Sequence, residues 1–135
     1  MKKILTIITL LAITMLFLSG CSDSVGTKIT FQNFASNKIF INFRASLITV
    51  DAGKTVDITD TPRGNYAYAT TFQLPPGTTS SSAEGDVSGE IELAAGTKVL
   101  IVYASTFAGG VYTISATKTT SDDLSGGGDI DPIGP

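Results

Sequence analysis

The sequence predicts an all-β protein whose folded part is a single antiparallel β-sandwich of about seven to eight strands. The chain is rich in Thr, Ser, Gly and Ala, a composition that favours strands and tight turns over helices. Apolar and polar residues alternate in short runs that are separated by turn signals. These runs cover about 95 residues, a usual size for two sheets that bury their apolar faces against each other.

Three of the first four runs alternate with the period of two that places successive side chains on opposite faces of a strand, and the third, SLITV, is a brief apolar stretch. Ile29 and Phe31 share one face of the first run, and Val56 and Ile58 share one face of the fourth. In the second run Phe40 lies on the face opposite the other apolar side chains, which makes it a candidate for outward recognition. These runs occupy residues 28–34, 38–44, 46–50 and 54–60.

One long turn-rich interruption separates the first of the last four runs from the other three. Residues 75–85, with the sequence PPGTTSSSAEG, carry loop signals throughout and are expected to form a loop. The nearly all-apolar run at 97–105 is typical of a central strand covered on both faces. Phe107, in the turn that follows it, is either a recognition residue or, as we expect, a cap on the end of the sandwich. The four runs are 64–74, 86–93, 97–105 and 111–119.

The same alternation places Tyr66, Tyr68, Tyr112 and Ile114 in the core. The segment TPRGNYAY, residues 61–68, resembles transthyretin-like and carboxypeptidase-regulatory-like sandwich modules, in which a glycine-tyrosine segment opens a strand after a tight turn. This resemblance covers about a dozen residues. It implies a β-sandwich of this general kind and no particular activity.

The first 20 residues have a different character from the rest. Lys2 and Lys3 precede residues 4–18, which are apolar except for three Thr. A helix of that length rises roughly 22 Å, less than the ~30 Å hydrocarbon core of a bilayer. A charged start, a short apolar stretch and the small residues Ser19 and Gly20 therefore predict a secretory signal peptide. A single uncleaved anchor is the alternative that these residues leave open.

The signal peptide ends at the only cysteine of the chain. Leu18-Ser19-Gly20-Cys21 resembles the lipobox of bacterial lipoproteins. The resemblance implies that a diacylglycerol is attached to the Cys21 sulfur and that the lipoprotein signal peptidase cleaves between Gly20 and Cys21. It also implies acylation of the new amino group, for example with palmitate, and two or three chains give stable anchoring. A chance cysteine behind an ordinary signal peptide is the open alternative.

The chain therefore divides into four parts: signal peptide at 1–20, lipidated tether at 21–26, β-sandwich at 27–120 and a disordered Gly/Asp/Pro tail at 121–135. Removal of the leader leaves seven basic residues against twelve acidic ones, a formal charge of −5. Nucleic acid is not an expected partner, because phosphate binding requires a basic face. By resemblance to lipoprotein sorting rules, Ser22 after the cysteine favours the outer membrane, on its periplasmic or its surface side.

The side chains that usually carry catalysis are scarce, and we predict no enzyme activity, cofactor or metal site. The chain has no His, and its one Cys is assigned to lipid. The serines at 80–82 stand beside Glu84 with no base to activate a hydroxyl. Glu90 and Glu92 share one strand face as solvent-exposed acids, and Asp122 and Asp123 belong to a solvated tail whose calcium binding stays an open alternative.

We expect a membrane-anchored lipoprotein of the bacterial cell envelope, with a non-enzymatic β-sandwich as a binding or structural module. Its expected partners are membrane lipid, through acylated Cys21, and an envelope protein. The alternative is a subunit of a surface fibre or of a multi-protein envelope complex that assembles through sheet edges. A small hydrolase is disfavoured because the chain lacks His.

Overall fold

A computed structural model describes residues 26–121, and these residues form two facing β-sheets. The predicted β-sandwich is therefore confirmed. The signal peptide, the cleavage site at Gly20 and Cys21, most of the tether and the tail from residue 122 onward lie outside the described residues.

The described residues form nine strands, slightly more than the seven to eight expected. Each predicted run of alternating residues corresponds to one of them, and the additional strand is β6. The strands are β1 (Lys28–Asn33), β2 (Ile39–Phe43), β3 (Ser46–Val50), β4 (Thr55–Thr59), β5 (Gly64–Phe72), β6 (Ser80–Gly85), β7 (Ser88–Leu93), β8 (Lys98–Ala108) and β9 (Val111–Thr120).

One sheet has four strands in the order β3-β2-β5-β7, and the other has five in the order β4-β1-β8-β9-β6. The four-stranded sheet is antiparallel throughout. In the five-stranded sheet, β1 pairs with β8 and β6 pairs with β9 in parallel. The expectation of a purely antiparallel sandwich is wrong for this sheet, because alternation predicts which face a residue occupies and not which strand lies beside it.

The segment that contains β6 was expected to be a loop, and this expectation is wrong for residues 80–85. All six residues of β6 are exposed, so no apolar alternation marks the strand. It pairs with β9 from Ser80 opposite Val111 to Gly85 opposite Ala116. A Cβ atom on Gly85 would collide with the backbone of Ala116, so only glycine fits this close approach of two strands.

The core lies between the two sheets and holds the residues that alternation placed there. Tyr68, Tyr112 and Ile114 are buried, whereas Val56, Ile58 and Tyr66 are partly buried against the core. The central strand β8 is fully buried on its inner face only. Leu100 and Val102 on its outer face are half-buried, so the expected burial of both faces is incomplete. The other buried apolar residues are Ile29, Phe31, Ala35, Ile39, Ile41, Phe43, Val50, Val87, Ile91, Leu93, Val99, Ile101, Tyr103 and Ala116.

A buried amide joins the two sheets. The Asn33 side chain, at the end of β1, is 0% exposed. Its Nδ2 donates to the carbonyl oxygens of Asn37, at 2.9 Å, and of Val50, at 3.0 Å. Its Oδ1 accepts from the Ala35 N–H at 2.9 Å. One amide thus hydrogen-bonds to backbone groups of the β1–β2 connection and to the last residue of β3, a strand of the opposite sheet.

Replacement of this amide should cost far more stability than replacement of an exposed one. We expect Asn33→Ala to lower the free energy of unfolding by about 3 kcal/mol, because the buried Ala35 N–H and Val50 carbonyl lose their partners. Asn42→Ala, at an exposed position of β2, is the matched control and should change it by about 0.5 kcal/mol or less. Urea unfolding of both variants measures the difference, and equal losses would contradict the assigned role.

Candidate functional site

Both ends of the described chain lie at the same end of the sandwich. The Lys28 N–H at the start of β1 donates to the Thr97 carbonyl at 3.1 Å. The Lys98 N–H donates to Ser121 Oγ at 2.9 Å, which holds the end of the described chain beside the start of β8. We call this the tether end, because residues 21–26 lead into it. The distal end carries the connections at 34–38, 51–54, 73–79 and 109–110.

Glu90 and Glu92 line one hollow of about 350 Å³ with Asn65, Ile91, Lys118 and Thr120, and the serines at 80–82 do not line it. Glu90 and Glu92 are exposed on β7, opposite Ala67 and Asn65 of β5. Within residues 26–121, no three His, Cys, Asp or Glu side chains lie close enough to hold a metal ion. Asp122 and Asp123 fall outside that range.

The serines at 80–82 lie on an exposed strand rather than in a loop. Ser82 Oγ shares a hydrogen bond of 2.9 Å with Thr113 Oγ1 of the neighbouring β9. This contact links two adjacent strands of one sheet.

Two buried tyrosines use their hydroxyl groups inside the sandwich. Tyr103 and Thr70 share a hydrogen bond of 2.7 Å between facing sheets, and the Tyr68 hydroxyl donates to the Asp86 carbonyl at 2.6 Å. Burial raises the pKa of Tyr103 to about 12, although the bond to Thr70 acts in the opposite direction. Burial also raises the pKa of Tyr68, and the nearby Tyr103 and Asp86 charges add to that effect. Both groups therefore stay protonated at neutral pH.

Phe107 closes the core at the distal end. Its ring centroid lies 6.4 Å from that of Tyr112, which lies 5.6 Å from that of Phe72. Phe107 is itself 46% exposed, so it covers the core with one part of its ring and meets solvent with the rest. Of the distal connections, 73–79 and 109–110 contain no charged residue, whereas 34–38 and 51–54 carry Lys38, Asp51 and Lys54. Lys38 Nζ lies 3.5 Å from Asp51 Oδ1. The exposed apolar side chains Phe34, Leu74 and Val111 lie at the same end.

Phe40 lies on the outer face of the four-stranded sheet, whose β7 side carries Glu90 and Glu92. Phe40 is half-buried between Thr49 of β3 and Thr71 of β5. Leu47, on the same face of β3, is 67% exposed. A shallow hollow of about 370 Å³ beside them is lined by Asn42, Arg44, Ala45, Ala67, Tyr68 and Ala69.

The turn between β2 and β3 has an unusual backbone. Arg44 and Ala45 have φ angles of 52° and 60°, so two successive non-glycine residues are left-handed. Two-residue hairpin turns of this type usually contain Asn-Gly, and each such residue costs on the order of 1 kcal/mol. The Arg44 guanidinium lies 5.5 Å from the Tyr66 ring centroid, a cation–π contact that holds the side chain over β5. The runs at 38–44 and 46–50 predict a chain reversal here, but the dipeptide Arg-Ala carries no signal for a left-handed turn.

No protein-family model and no curated protein matches this chain. Within residues 26–121 there is also no helix long and apolar enough to cross a bilayer.

The two tyrosine hydroxyls make stability depend on pH in the alkaline range. Tyrosine in an unfolded chain ionises near pH 10, whereas Tyr103 in the folded protein has a pKa of about 12. The stabilisation is complete below pH 10 and is lost as the pH rises towards 12. We expect the free energy of unfolding to fall over that interval, and less steeply in Tyr103→Phe. Tyrosinate absorbance together with urea unfolding measures this, and an unchanged slope in the variant would contradict it.

Proposed function

We propose that this chain is a lipid-anchored lipoprotein of the bacterial cell envelope, whose β-sandwich is a non-enzymatic binding or structural module.

 The observation that carries the proposal is the position of the folded domain. Its first strand begins at Lys28, seven residues after Cys21, at the tether end. A lipid on Cys21 would therefore leave the core and both sheets undisturbed.

The length of the tether supports anchoring close to the membrane surface. The five residues 22–26 reach at most about 17 Å when fully extended. A domain on such a tether stays next to the lipid headgroups and meets its partners there. Outer-membrane sorting belongs to the same proposal and follows from the resemblance at Ser22.

Exposed apolar side chains at the distal end support a role in binding. Apolar and aromatic side chains are enriched at the centres of protein interfaces. The distal end carries the exposed Phe34, Leu74 and Phe107, which fits a surface for an envelope protein partner. Assembly through sheet edges is the second candidate function, and the free edge of β3 is the observation that favours it.

Labelling of the protein in growing cells tests the proposal. Cells given an alkyne-bearing palmitate analogue should label the wild type and the tether control Ser24→Ala equally, because both retain the thiol to which the resemblance assigns the lipid. Cys21→Ser should lose the label and keep the mass of the uncleaved chain. Equal labelling of Cys21→Ser, or no labelling of the wild type, would contradict the proposal.

A further inference from the structure

The strand β3 is the outermost strand of the four-stranded sheet, and in the described part of the chain it pairs with β2 alone. We propose that two copies of this chain pair through this edge, antiparallel, about a two-fold axis at Ile48. The pairing rests on the second candidate function, assembly through sheet edges, for which it names the partner, and it does not depend on the lipid.

The edge of β3 lacks the protection that the other outer strands have. Charged side chains and prolines on an edge strand normally prevent it from pairing with another chain. The strands β4, β6 and β7 carry the carboxylates of Asp57, Glu84 and Glu90, respectively. The sequence of β3, SLITV, has no charged residue and no proline, and its Leu47 is 67% exposed.

The hairpin geometry determines which backbone groups of β3 face outward. The residues that flank a two-residue turn form a hydrogen-bonded pair, here Phe43 with Ser46. Alternate residues of β3 then bond to β2, and the N–H and C=O groups of Leu47 and Thr49 point away from the sheet. With Ile48 opposite Ile48 of a second copy, Leu47 faces the second copy's Thr49, and these groups hydrogen-bond to each other.

Charge complementarity favours the antiparallel arrangement. Arg44 precedes β3 and Asp51 follows it, and both are exposed. Antiparallel pairing brings Arg44 of each copy beside Asp51 of the other, at both ends of the joined edge. The ion pair forms when the Arg44 side chain turns from the Tyr66 ring and Asp51 exchanges its 3.5 Å contact with Lys38. Parallel pairing would instead bring like charges together. Within one chain the two residues are roughly 23 Å apart along the strand, too far to interact strongly.

Apolar surface is available at the same edge. Ile48 is half-buried and lines an open cleft of about 340 Å³ with Phe43, Arg44, Ser46 and Ile58. In the pair, Ile48 of the second copy lies directly opposite Ile48 of the first, at the mouth of this cleft. On the outer face, Leu47 and Phe40 of both copies extend one apolar stripe across the joined sheet, which removes part of their surface from water.

Antiparallel pairing has a consequence for orientation that rests on the proposed lipid anchor. The two tether ends lie at opposite ends of the joined edge. Tethers of about 17 Å reach one membrane from both ends only when the strands lie along its surface. The paired edge therefore predicts sandwiches that lie flat on the membrane.

A charge exchange tests the pairing in the full-length chain purified from membranes in detergent. We expect sedimentation equilibrium to show a dimer. Arg44→Glu and Asp51→Arg should each weaken association about tenfold, because each reverses two symmetry-related ion pairs. The double variant should restore the affinity. A monomer at every concentration, or a double variant no tighter than the single ones, would overturn the proposal.

A disulfide tests the register in the same preparation. Ile48→Cys should crosslink two copies on mild oxidation, whereas Ser82→Cys on the exposed β6 edge is the control and should not. No crosslink of Ile48→Cys, at a concentration where the wild type is a dimer, would overturn the proposed register. Oxidation of the wild type tests the lipid separately, because Cys21 is its only cysteine. A disulfide through Cys21 would contradict lipidation and leave the β3 result unaffected.

Discussion

The two sheets are joined at the distal end by a buried amide, that of Asn33. Its hydrogen bonds hold the β1–β2 connection and the Val50 carbonyl together, and Val50 is the last residue of β3. A buried amide without partners would be costly, so this network admits one arrangement of the strands it joins. The same network holds the end of β3 beside the end of β1, while pairing with β2 on one side places β3 at the edge of its sheet.

The faces of most strands could be predicted from the sequence, because burial on one side of a sheet imposes alternation. Ile29 and Phe31 of β1, and Tyr112 and Ile114 of β9, lie where the pattern places them. The strand β6 could not be predicted, because both of its faces are exposed and its sequence, SSSAEG, is typical of a loop. The parallel pairs could not be predicted either, because strand order depends on contacts that are distant in the sequence.

The candidate surfaces were harder to predict than the core. Phe40 and Phe107 could be singled out because they interrupt or follow an alternating run, and both reach the surface in part. The free edge of β3 could not be predicted, because the apolar sequence SLITV is also typical of a central strand. The left-handed turn at Arg44 and Ala45 lacks the glycine or asparagine that would have marked it, and it depends on tertiary contacts such as that with Tyr66.

The most direct measurement is the intact mass of the protein extracted from membranes of the native cell. The account predicts the mass of a chain that begins at Cys21 and carries two or three acyl chains. That mass would establish the covalent anchor on which the proposed function depends. A mass without lipid, with the Cys21 thiol free, would contradict the account, and Cys21 would then be a candidate reactive thiol.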